Sequence, residues 1–121
     1  MTGWKLDPGD REHLLARFKP MFPDVIADHV TLRTGTDHKT PLPGETHGEI
    51  VGEIDDGVGV QALVVRIGGT TDRRDGSTFH ITWSLDRARG RRPVESNGVI
   101  AQLGWQTLPE PVPIRLTPAR F

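Results

Sequence analysis

A histidine followed two positions later by a threonine occurs twice in this chain. The first copy is His29-Val30-Thr31-Leu32, and the second, 51 positions on, is His80-Ile81-Thr82-Trp83. In both, the residues between and after the pair are apolar. On an extended strand, residues i and i+2 share one face about 7 Å apart, and their neighbours share the other. Each copy therefore presents an imidazole and a hydroxyl together while its apolar residues turn to the core. Two such strands side by side would gather two imidazoles and two hydroxyls around one point. That set suits a phosphodiester. Histidine titrates near neutrality, so one ring can take a proton while the other gives one. The two hydroxyls can donate to the non-bridging phosphate oxygens. The scheme needs no metal.

At these residues the chain resembles the 2H phosphoesterase superfamily, whose signature is two His-x-Thr/Ser-x motifs with apolar residues at the x positions. The resemblance implies an α+β fold of two pseudo-symmetric lobes with antiparallel sheets, one motif per lobe and the site between them. It implies His29 and His80 as catalytic residues, with His80 as base and His29 as acid, and Thr31 and Thr82 as phosphate ligands. It implies no metal and no cofactor. The implied substrate class is a 2′,3′-cyclic phosphate at an RNA end or on a nucleotide, or a related cyclic or 2′–5′ phosphodiester, as in RNA processing and repair. With 51 residues between motifs there is room for about one helix per lobe, so the expected fold is a compact, trimmed version of the bilobal one.

The elements that must carry these residues can be read from the chain. With 121 residues, it has the length of one domain, 1–121. Asp7-Pro8 opens a helix over about 8–18: Asp7 can cap, Pro8 suits the first position, and Leu14, Leu15 and Phe18 share a face. His29–Arg33 alternates as a strand, and 34–46, with two glycines and two prolines, is a long loop. Two strands over 50–54 and 58–67 are joined at Asp55-Asp56-Gly57, a hairpin signal. Leu63-Val64-Val65 implies cover on both faces of the second. After a polar loop over 68–77, residues 78–85 alternate, with Phe79, Ile81, Trp83 and Leu85 on the apolar side. A short helix is expected over 96–103, and a last strand near Ile114–Leu116 after three prolines.

Composition narrows the function classes. Fifteen basic against sixteen acidic residues give a net charge of −1, unlike a generic nucleic-acid binder. The chain has no cysteine, which removes disulfides, thiolate metal sites and a cysteine nucleophile. No apolar run approaches a membrane span, and the first residues do not read as a signal peptide. The expectation is a cytoplasmic domain that does not engage a membrane and shows no sign of an obligate protein partner.

Six arginines flank the second motif: Arg73, Arg74, Arg87, Arg89, Arg91 and Arg92. The acidic residues Glu45, Glu49, Glu53, Asp55 and Asp56 lie elsewhere, so a near-neutral chain can still present one basic mouth. Arg73, Arg74, Arg91 and Arg92, with Ser96 and Asn97 after them, are candidate substrate ligands. Two other readings stand beside the enzyme. The same cleft could hold an RNA end or nucleotide without cleaving it, or the motifs could be coincidental in an interaction domain. His38 and His47, in or next to the long loop, could join the motif histidines around a metal, but no metal-ligand spacing supports this.

Overall fold

The computed structural model describes residues 1–121 as an α+β fold of seven antiparallel strands in one curled sheet with two helices. The strands are β1 (Thr2–Leu6), β2 (Asp24–Val25), β3 (His29–Arg33), β4 (His47–Asp55), β5 (Val60–Arg66), β6 (His80–Leu85) and β7 (Gln106–Arg120). The helices are α1 (Pro8–Arg17) and α2 (Glu95–Leu103), and Arg87–Arg89 forms a single 3₁₀ turn. The sheet order is β2-β6-β5-β4-β7-β1-β3. No helix is long and apolar enough to cross a membrane.

Helix α1 starts as its sequence directs. The Asp7 carboxylate accepts from the Asp10 amide at 3.0 Å, and Pro8 opens the first turn. Its Leu14, with Phe18 just beyond, enters the main core among Trp4, Val30, Ile50, Leu63, Val65, Ile81 and Trp83. Helix α2 covers the opposite face of β5, where Ala62 and Val64 meet Ile100, and Val60 and Leu85 meet Val99. Leu63, Val64 and Val65 are thus all buried, as three consecutive apolar residues require.

Alternation in β6 holds only as far as Trp83. The register with β5 pairs Thr82 with Ala62 but Ser84 with Gln61, so Trp83 is an extra residue. This bulge returns Leu85 to the α2 side and sends Ser84 inward, where its hydroxyl donates to Gln61 Oε1 at 2.6 Å. A one-residue insertion flips every later side chain.

Two strands run beyond what the sequence suggests. Thr2–Leu6 is too short to show a pattern, yet it pairs with both β3 and β7. Strand β7 spans 15 residues despite four prolines. The Leu116 amide donates to the Thr46 carbonyl on the β4 side, while the Arg115 carbonyl accepts from Asp7 on the other. Pro113 shares parity with Arg115, so the N–H it lacks is missing on the side away from β4, while Pro109 and Pro111 lie in a bulge between Thr107 and Val112 where the ladder with β4 is interrupted. Proline is tolerated in a sheet where no ladder partner is lost.

The edges of the curled sheet meet on one stretch of chain. The Ile26 and Ala27 amides donate to the Trp83 and Thr82 carbonyls of β6, and the next residues pair with β1. Ala27, fully buried, takes a left-handed φ of 45° at the crossover. A side chain there costs about 1–2 kcal/mol. Arg11 of α1 braces the turn by donating from Nε to the Ala27 carbonyl at 2.9 Å.

Candidate active site

Strands β3 and β6 approach each other across this seam. Val30 and Ile81 point into the main core, so His29, Thr31, His80 and Thr82 lie on the opposite face. His29 lies two residues beyond the last hydrogen bond of this seam, Ala27 to Thr82, and His80 two residues before it, so the two imidazoles come from neighbouring parts of β3 and β6. The rings are near enough for a charge on His29 to act on His80. The close fit of β3 depends on Gly3 of β1: a Cβ there would lie 2.1 Å from the Val30 carbonyl oxygen.

The two histidines are held differently. His80 is half-buried, and its Nδ1 lies 2.8 Å from the Thr78 carbonyl. A carbonyl only accepts, so Nδ1 carries the hydrogen and Nε2 is left with a lone pair. Burial pushes the His80 ring below the usual imidazole value. The Thr78 carbonyl works against this, Arg73 and His29 add to it, and Asp75 opposes it. His29 places Nδ1 3.0 Å from the Asp28 carboxylate, which Lys5 Nζ also contacts at 2.5 Å. The Phe121 ring packs against His29 with centroids 4.4 Å apart.

The threonines also differ. Thr31 is half-buried, with no side-chain partner holding its hydroxyl. Thr82 lies under the start of α2. Its Oγ1 is 2.9 Å from the Ser96 hydroxyl and 3.3 Å from the Pro93 carbonyl. Of the two expected phosphate ligands, the Thr82 hydroxyl is thus engaged within the protein and the Thr31 hydroxyl is not. Ser96, expected as a substrate donor, is fully buried and bonds Thr82. Asn97 is half-buried and donates from Nδ2 to the Val94 carbonyl at 3.2 Å.

The arginines separate into three settings. Arg73 is 8% exposed, grips Asp75 through Nε and Nη2 at 3.1 and 2.7 Å, and lies within electrostatic reach of His80. Arg73 and Ser77 hold the Asp75 carboxyl far below the usual carboxylate range. Arg74 and Arg92 are exposed; Arg74 rims a cavity of about 450 Å³ with Leu32, Ile67 and Phe79 beneath it. Arg91, expected as a substrate ligand, is held as a structural clamp. It pairs with Asp56 at 2.7 Å and Glu95 at 3.1 Å and donates to the Val58 carbonyl. It so ties the β4–β5 turn to α2, and part of the basic mouth is spent on the acidic cluster.

Neither that cavity nor one of about 550 Å³ beside Phe18 and Met21 is lined by the motif histidines. His13, His38 and His47 are exposed, and no three His, Asp or Glu side chains form a metal-donor cluster. Residues the motif pattern does not name, Asp28, Lys5 and Phe121, complete the surroundings of His29. No family model, curated protein or solved structure matches the chain.

Proposed function

We propose that the protein is a metal-independent phosphoesterase that hydrolyses a 2′,3′-cyclic phosphate, at an RNA end or on a nucleotide, or a related cyclic or 2′–5′ phosphodiester. The observation that carries this reading is the pair of adjacent strand histidines, each with Nδ1 occupied and Nε2 free, in unlike surroundings. His80, kept neutral by burial, is the base. Its Nε2 takes a proton from water as the water oxygen attacks phosphorus. The bond from phosphorus to one ribose oxygen breaks, and that oxygen takes the proton on Nε2 of doubly protonated His29. One water is consumed, a 2′- or 3′-phosphate results, and solvent resets both rings. Thr31 donates to a non-bridging oxygen, and the Arg73 guanidinium supplies positive charge beside His80.

The reading takes the curled seven-stranded sheet as a trimmed bilobal plan. In this reading β3, β1 and the end of β7 form the lobe of the first motif. Strands β4, β5 and β6 under α2 form that of the second, and β7 joins them. The test is incubation with adenosine 2′,3′-cyclic phosphate and a cyclic-phosphate-ended RNA in EDTA, with separation of the products. Expected is hydrolysis that disappears in His80→Ala and His29→Ala. Full activity in either variant sinks the scheme, and loss of activity on chelation removes its metal independence. Salt-sensitive binding without product would favour a module that holds the RNA end.

A further inference from the structure

The His-x-Thr pattern asks for nothing at the position before the histidine, yet Asp28 is held there from several sides. Its carbonyl accepts from the Leu6 amide at 3.0 Å, and the preceding Ala27 amide is bound to Thr82. The left-handed turn at Ala27, braced by Arg11, sets the direction in which Asp28 and His29 leave the seam. Lys5 faces the Asp28 carboxylate from β1, His80 faces His29 from β6, and Phe121 packs on the His29 ring at the end of β7. Burial pushes the Asp28 carboxyl up, but Lys5 and His29 together pull it below its usual value. An ionised carboxylate only accepts, so the hydrogen of the 3.0 Å contact belongs to His29 Nδ1.

We infer that Asp28 is the positioning residue of the proton donor: it fixes Nδ1–H of His29 and so leaves Nε2 as the nitrogen that delivers a proton to the departing oxygen. The inference rests on the phosphodiester hydrolysis proposed above. It follows the general rule that a third group sets the tautomer and aim of an acting histidine. Lys5 shares the carboxylate and limits its rotation, and Phe121 limits that of the imidazole. At His80 the equivalent task falls to the Thr78 carbonyl, which no side-chain substitution can remove.

The experiment combines nitrogen-15 imidazole spectra with steady-state kinetics on adenosine 2′,3′-cyclic phosphate, for the unaltered protein, Asp28→Ala and Asp28→Glu. In the unaltered protein, neutral His29 should be the Nδ1–H form. In Asp28→Ala it should move toward Nε2–H while His80 keeps its signature. The same variant should lose about 100-fold in kcat, the scale on which a misplaced reacting group costs rate, with KM changed less than about twofold. Asp28→Glu should recover part of the loss. If the unaltered protein turns over and Asp28→Ala keeps either the Nδ1–H form or full kcat, the inference is overturned and the hydrolytic reading stands. If the unaltered protein hydrolyses no phosphodiester, the hydrolytic reading fails and Asp28's role falls with it.

Discussion

The two His-x-Thr copies are nearly identical as strings and opposite as environments. The first lies at the seam of the sheet, with a side chain 27% exposed at His29, a carboxylate on its Nδ1 and an unclaimed threonine hydroxyl. The second lies in an interior strand beside α2, with a carbonyl on its Nδ1 and its threonine tied to Ser96. A repeated motif specifies which groups arrive at a site; the surroundings decide what each group does there. Burial lowers the proton affinity of one ring and a carboxylate engages Nδ1 of the other, the kind of difference that the proposed acid–base division requires.

The largest expected effect tests that division directly. His29→Ala and His80→Ala should each lose about a hundred- to ten-thousand-fold in kcat on a cyclic nucleotide. On a p-nitrophenyl phosphodiester, whose leaving group needs no proton, the His29→Ala deficit should shrink and the His80→Ala deficit should persist. Equal deficits on both substrates would break the comparison.

Next is the fit of the first motif's strand. Gly3→Ala would drive a methyl group into the Val30 carbonyl and the backbone at Thr31. Overpacking of this kind costs about 1–3 kcal/mol, read as a lowered urea midpoint. An unchanged midpoint would mean that β3 is free to shift.

The threonines sharpen the comparison further. Thr31→Ala should raise KM more than Thr82→Ala does, because the Thr82 hydroxyl is already claimed. Thr82→Ala should instead cost about 0.5–1.5 kcal/mol in stability, the range for one hydrogen bond, seen in the same denaturation experiment. The reverse order would mean that Thr82 leaves Ser96 when substrate binds.

The smallest effect is in pH. Folded His80 binds its proton below the usual imidazole value of 6.5, whereas the unfolded chain binds it near that value. Its contribution to stability is therefore present above pH 6.5 and is lost as pH falls through the lower, folded pKa. The acidic limb of kcat/KM, where the base becomes protonated, should likewise lie below pH 6.5. Arg73→Ala removes a cation from beside the ring and leaves Asp75 unpaired, so both shifts should diminish. A limb above 6.5 in the unaltered protein would remove His80 from the role of base.

Much of this arrangement is legible in the sequence. The Asp7-Pro8 start, the Asp55-Asp56-Gly57 hairpin, the doubly covered Leu63-Val64-Val65 and the inward Trp83 follow from capping, turn chemistry and period. What is not legible depends on distant partners. Thr2–Leu6 is a strand because β3 and β7 lie on either side of it. Residues 106–120 stay one strand through their prolines because Pro109 and Pro111 fall where the ladder with β4 is interrupted, and the N–H missing at Pro113 faces away from β4. Leu85 changes face because of a bulge visible only in the pairing with β5. At the site, the histidines and threonines are marked by their spacing, whereas Asp28 is one aspartate among many until Lys5 and His29 converge on it. The places of Arg91 and Ser96 in the sequence suggest substrate contacts, but not their partners Asp56 and Thr82, which only the tertiary fold brings to them.

The seam at residues 24–33 has a kinetic consequence. It is held on one side by β6 and on the other by β1, which itself pairs with the far end of β7. These contacts join segments far apart in the chain, and closing long loops makes such pairings slow. The β4–β5–β6 meander can assemble from near neighbours, but His29 reaches His80 only once the closing strand is in place. In refolding, packing of Trp105 against Gly52 of β4 should therefore precede the recovery of phosphodiesterase activity. Such a lag would make the active site a reporter of the last step of folding; simultaneous recovery would show that the sheet closes in a single event.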